Sequence, residues 1–108
     1  MELLTQYKIV IVNLDPTIGS EIKKTRPCVV VSPDEMNRHL KTVVVCPITS
    51  KSKGYPTRIR FELSQNINWI VADQIRTIDK SRITRVIGQL LPETIKKVKA
   101  VLKETYVD

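Results

Sequence analysis

Apolar residues in this chain come in short runs, cut at regular intervals by proline, glycine and polar turns. Residues 7–14 read as a first strand, ended by Asp15-Pro16-Thr17 and Gly19. Residues 27–32 read as a second, stopped by Pro33-Asp34, and residues 42–46 as a third, stopped by Pro47. In 57–63 the alternation is clean, with Ile59, Phe61 and Leu63 on one face and Arg58, Arg60 and Glu62 on the other. Residues 68–75 and 85–90 supply two more strands. The first three are apolar on both faces, which predicts central strands covered on both sides. Only the C-terminus is helical in pattern. Pro92 and Glu93 suit a first turn, and Ile95, Val98 and Leu102 recur at helical spacing with Val101 beside them. Lys96, Lys97, Lys99 and Lys103 line the other face, read as a solvated exterior. Asp79-Lys80-Ser81-Arg82 predicts a single helical turn, whereas His39, in the polar stretch 37–41, reads as a loop residue.

Composition agrees with that pattern. Val and Ile number 26 against 10 Leu and Ala, and β-branched side chains favour pleated strands. The expectation is a mainly-β chain with a C-terminal helix, folded as one small β-barrel-like domain over residues 1–108. No run of 18 apolar residues is present to span a membrane, and no secretory signal opens the chain. Cys28 and Cys46 lie inside apolar runs and read as core residues of a reduced, cytoplasmic protein.

Charge sharpens the picture. The chain carries 18 Lys and Arg against 11 Asp and Glu, a net +7. All of that excess falls in residues 22–60, and the remainder sums to zero. A concentrated positive field attracts a polyanion, most often nucleic acid.

Familiar catalytic arrangements are missing: there is no Gly-rich phosphate loop, no HExxH, and no serine in a GxSxG setting. A single histidine rules out a two-histidine ribonuclease scheme in one chain. What remains is a set of polar residues where buried strands end. Arg26 is held extended by Pro27. Thr49-Ser50 follow the third apolar run, Asp73-Gln74 follow the fifth, and Glu21 lies before Arg26. Such residues are either ordinary strand ends or a rim on which a rigid scaffold presents chemistry.

These same residues carry a family resemblance. Asp15-Pro16-Thr17-Ile18-Gly19-Ser20-Glu21 is followed by Thr25-Arg26-Pro27, Cys46-Pro47-Ile48-Thr49-Ser50 and Lys53-Gly54-Tyr55-Pro56. Ala72-Asp73-Gln74-Ile75-Arg76-Thr77-Ile78-Asp79 and Ile87-Gly88 continue in order. The chain thereby resembles the MazF/PemK-type toxin endoribonucleases over residues 7–106. The resemblance implies an SH3-like β-barrel, usually a homodimer, that cuts single-stranded mRNA at short sequences with no metal or other cofactor. It also implies an antitoxin whose acidic, disordered tail occupies the RNA groove. Arg26 and Thr49 then fall at the scissile phosphate. Glu21 and Asp73 are alternative acceptors for the 2′-proton, and Ser50, Lys51, Lys53, Tyr55, Asp73 and Gln74 are RNA contacts. Tyr55 is the base-stacking candidate, Trp69 reads as core or dimer interface, and Phe61 as core. An SH3-like module that binds without cutting is the alternative.

Three departures stand out. Tyr7-Lys8 occupies the place where many relatives have Gly-Asp or Gly-Glu. Lys23-Lys24-Thr25 replaces a glycine before Arg-Pro, making that loop more basic and less flexible. Val71 stands where some members have arginine.

Overall fold

The computed structural model describes residues 4–13 and 25–108. Glu21, Lys23 and Lys24 lie outside them. Among the described residues seven strands and two α-helices follow in order: β1 (Lys8–Asn13), β2 (Thr25–Val30), α1 (Asp34–His39), β3 (Thr42–Thr49), β4 (Arg58–Leu63), β5 (Asn66–Val71), β6 (Arg76–Asp79), β7 (Ile83–Gln89) and α2 (Pro92–Tyr106). The strands form one antiparallel sheet in the order β4-β5-β3-β2-β1-β7, with β6 paired to β3. The sheet curls into a half-barrel. A 3-10 turn at Lys80–Arg82 joins β6 to β7, where the sequence predicts a single helical turn.

Central strands are covered on both faces, as their unbroken apolar runs predict. On one face Val10, Val12, Cys28, Val30, Val43, Val45, Ile78 and Ile83 form the core of the curl. On the other Ile9, Val29, Cys46, Ile48, Ile59, Phe61 and Ile70 meet Val98 of α2, with Ile95, Val101 and Leu102 packed alongside. Alternation along each strand does the sorting, since successive side chains point to opposite faces. Both cysteines are buried and unbridged. Burial pushes the Cys28 thiol up to about 11, against the lowering influence of Arg76 and Arg26. It pushes Cys46 up to about 12, helped by Cys28 and Asp73. Both stay protonated at neutral pH, so neither is a nucleophile.

Three expectations need correction. His39 ends a short helix over Asp34–His39 rather than lying in a loop, with exposed Arg38 and His39 both one turn on from Glu35, at 3.3 and 3.5 Å. Six residues are too few to show helical apolar spacing. The third strand does not stop at Pro47 but runs to Thr49. One edge of β3 pairs with β6 through Val45 and with β5 from Ile48 onward. Pro47 sits in the gap between them, where there is no ladder for its missing N–H to interrupt. The strand expected at 68–75 stops at Val71, where β5 (Asn66–Val71) gives way to a 3-10 turn at Ala72–Gln74, and a further strand, β6, follows from Arg76. The step arises because both strands pair with the same edge of β3.

Three non-glycine residues among those described take positive φ. Tyr7 takes φ 71°, a conformation glycine adopts freely and aromatic residues rarely do. Its N–H donates to the Val30 carbonyl at 2.6 Å, and its own carbonyl accepts from Leu90 N–H at 3.0 Å. The ring is buried, with the Lys99 ammonium 6.0 Å from its centroid. Ser64 and Gln65, between β4 and β5, both have positive φ (52° and 66°), the geometry of a type I′ hairpin that favours Asn-Gly. Replacing Ser64 by Asn and Gln65 by Gly is expected to stabilise the protein by about 1 kcal/mol. Thermal unfolding checks this: a rise in Tm of about 4 to 8 °C is expected, and an unchanged or lower Tm contradicts it.

Candidate active site

Arg26 and Thr49 are brought to one end of a strand pair by its register. β2 and β3 pair antiparallel, with Val30 opposite Val45, Val29 opposite Cys46 and Cys28 opposite Pro47. Arg26 and Thr49 each lie two residues beyond that last matched pair, at the same end of the two strands. Arg26 is exposed and Thr49 partly so. The Thr49 hydroxyl accepts from the Lys51 N–H at 3.2 Å and lies 3.3 Å from the Lys51 carbonyl, to which it donates. That second, long bond can be exchanged for one to an anion without disturbing the turn.

A second constellation abuts the first. Asp73, exposed in the 72–74 turn, accepts from the Thr57 hydroxyl at 2.9 Å and from Arg58 Nε at 3.3 Å on the same oxygen. Arg58 Nη2 reaches its other oxygen at 3.4 Å. The same guanidinium donates through Nη1 to Ser52 Oγ at 2.8 Å and lies 5.1 Å from the Tyr55 ring centroid. Arg58 therefore clamps the 51–57 loop to the 72–74 turn, and its side chain is only 19% exposed. Desolvation pushes the Asp73 carboxyl up, but hydrogen bonds from Arg58 and Thr57 and the Arg58 charge outweigh it, holding the acid below its ordinary value. Asp73 is ionised at neutral pH, with its lone pairs engaged. From behind, the Tyr106 hydroxyl of α2 donates to the Ala72 carbonyl at 2.6 Å and ties the turn to the helix.

Residues 5–106 match the family described as the PemK-like, MazF-like toxin of type II toxin-antitoxin systems. The chain belongs to that family. Among curated relatives, the endoribonuclease toxin MazF of Escherichia coli (strain K12) is 34% identical over 90 residues, covering 82% of this chain and 81% of the relative. Endoribonuclease EndoA of Bacillus subtilis (strain 168) is 34% identical over 97 residues, with 84% of each chain covered. In fold, MazF from Deinococcus radiodurans superposes with a TM-score of 0.80 at 25% identity, covering 97% of both chains.

Within this MazF-type toxin, the predicted site residues fall into three groups. Arg26 and Thr49 lie at the same end of the β2–β3 pair, just beyond Cys28 and Pro47. Ser50, Lys51, Lys53 and Tyr55 are all exposed in the adjoining loop, and Asp73 and Gln74 are exposed in the neighbouring turn. Glu21 lies outside the described residues. The charge picture is corrected. Among the described residues, the basic positions of 22–60 do not all fall at one end, because β2 and β3 run antiparallel. Lys41 immediately precedes β3, eight residues and about 26 Å from Thr49 at its far end. Arg26 lies near the start of β2, at the Thr49 end of the pair, and Lys51 and Lys53 lie in the loop that follows Thr49.

Sequence reasoning missed Arg58 as an organiser and Tyr106 as an anchor. Arg58 had a usable signal: it starts a strand paired with Val71, two residues before Asp73. Tyr106 had none, since its partner is a backbone carbonyl 34 residues away.

Proposed function

We propose that this endoribonuclease toxin cleaves single-stranded mRNA by making the 2′-hydroxyl attack its own 3′-phosphate. The 5′-oxygen leaves, giving 2′,3′-cyclic phosphate and 5′-hydroxyl ends. The observation that carries the site is that Arg26 and Thr49 lie at the same end of the β2–β3 pair, each two residues beyond its last matched residues, Cys28 and Pro47. A guanidinium keeps its charge across the working pH range and forks two donors onto the non-bridging oxygens, where charge accumulates. The Thr49 hydroxyl, released from Lys51, adds a third donor. Asp73 is too fully engaged and too weakly basic to be the better proton acceptor, which favours Glu21 for the 2′-proton and leaves Asp73 and Gln74 to position RNA. Ser50, Lys51, Lys53 and Tyr55 carry the strand past the phosphate, and their charge makes binding salt-dependent.

The working unit is a homodimer in the cytoplasm, each chain folding as one domain. An apolar groove of about 530 Å³ between α1 and the end of α2 supports self-association; Met36, Val44, Ile75, Leu102 and Val107 line it. A cognate antitoxin with an acidic tail competes with RNA for the basic end. Complexes of MazE with MazF from Deinococcus radiodurans share this fold. No helix among the described residues is long and apolar enough to cross a membrane.

Because charge stabilisation is assigned to Arg26 and Thr49, cleavage is expected to persist in EDTA. Incubating a long transcript with purified protein in EDTA checks this. Discrete fragments are expected, and intact RNA in the presence of demonstrated binding would point to a binding module instead.

A further inference from the structure

Trp69, the only tryptophan in the chain, was expected in the core or at a dimer interface. It joins neither core cluster of the described residues. Its neighbour Ile70 and the β4 residues Ile59 and Phe61 face α2, so alternation turns Trp69 to the opposite side of the sheet. Register then fixes its company. Trp69 is paired with Thr49 on one side and with Arg60 on the other. Thr49, Trp69 and Arg60 thus form a row across β3, β5 and β4 on one face, and Arg26 lies on β2 at the Thr49 end of the neighbouring pair. Directly opposed Cβ atoms stand about 4.5 to 5.5 Å apart. Trp69 is partly buried and Arg60 exposed. The 51–55 loop passes the tip of the indole, whose Cη2 lies 3.8 Å from where a Cβ on Gly54 would stand.

A large aromatic ring one strand away from a phosphate-binding hydroxyl, with a cation on its far side, suits one class of ligand. Single-stranded nucleic acids bind by stacking bases on aromatic rings while basic side chains follow the backbone. We propose that Trp69 is a base-stacking subsite for a nucleotide adjoining the scissile phosphate, with Arg60 holding the phosphate beyond it. This rests on the assignment of Arg26 and Thr49 to RNA cleavage and adds a direction: the strand crosses from β2 over β3 and β5 towards β4. Tyr55 then stacks a different base, because the Arg58 guanidinium already lies against its ring.

A sole tryptophan makes the test direct. A cleaved segment is prepared with 2′-O-methyl groups, which removes the attacking hydroxyl and keeps the strand intact on the wild-type protein. Binding is followed by anisotropy of an end label and, in the same titration, by tryptophan emission. The expected result is saturable quenching that tracks the anisotropy and is lost when one particular nucleotide is made abasic. Trp69→Leu is expected to bind about tenfold more weakly, and Trp69→Phe near the wild-type level. Full binding by anisotropy with tryptophan emission unchanged overturns the subsite, and this readout needs no variant to fold. Failure to cut unmodified RNA would instead strike the cleavage assignment. Normal cutting with unchanged emission removes the subsite alone.

Discussion

Arg26→Ala is expected to reduce RNA cleavage by about a hundredfold to a thousandfold or more, the scale of removing one preorganised donor from a developing charge. The side chain is exposed on β2, and the carbonyl of the same residue, which the Cys28 thiol approaches at 3.9 Å, is kept in the variant. Its loss opens no cavity and leaves no buried polar group unpaired, so the far-ultraviolet spectrum, Tm and mass in solution should match wild type. Arg26→Lys should recover little. A lysine keeps the charge but cannot place two parallel donors on two oxygens. Single-turnover cleavage of one transcript, with RNA binding measured separately, checks this. An Arg26→Ala protein that cuts at the wild-type rate would show that the phosphate is held elsewhere.

Removing the clamp should be damaging by a different route, and less so. Arg58→Ala takes away two donors to Asp73, the donor to Ser52 and the cation at the Tyr55 ring. Hydrogen bonds to charged groups are worth about 1.5 to 3 kcal/mol, so kcat/KM is expected to fall about ten- to hundredfold. The loss should appear mainly in KM, because Arg26 and Thr49 remain in place. The Asp73 carboxyl should also move up towards its ordinary value of 3.8. The sign of the pH effect follows. An acid lowered by folding adds stability above its unfolded pKa, and that stability disappears as the pH falls through the folded value. In wild type the clamp should therefore hold at neutral pH and loosen only in acid, and Arg58→Ala should lack that acid-sensitive component. Steady-state cleavage and a carboxyl-resolved NMR titration check both effects. Wild-type kcat/KM in Arg58→Ala would show that the 51–57 loop orders itself.

Legibility of this chain from sequence depended on how local the cause was. Alternation in 57–63 and the spacing of Ile95, Val98 and Leu102 are read within one element, and both elements stand where they were expected. The break at Ala72–Gln74 was invisible, because Trp69-Ile70-Val71-Ala72 is as apolar as a continuous strand. What interrupts it is the two-part edge of β3, a tertiary demand. Pro47 misled for the same reason: it is a breaker by its own chemistry and harmless beside a gap. The positions proposed for the site, Arg26, Thr49, Asp73 and Gln74, were picked out through the family motifs. The alternating face that singled out Arg58 and Arg60 did not reveal which partners each would meet. For Arg58 those partners come from a loop and a turn, and for Arg60 from the Trp69–Thr49 row. Likewise the +7 of the chain was a correct total with the wrong geography, since strand direction sends Lys41 to the far end.

The central claim is transesterification at a phosphate held by Arg26 and Thr49, and the chemistry of the cut ends tests it most directly. One transcript is digested in EDTA by wild type and by Arg26→Ala, and both termini at each cut are identified. Cyclic 2′,3′-phosphate and 5′-hydroxyl ends from wild type, with intact RNA from the variant, are predicted. Fragments ending in 3′-hydroxyl and 5′-phosphate would mean that water rather than the 2′-hydroxyl is the nucleophile, and would contradict the mechanism.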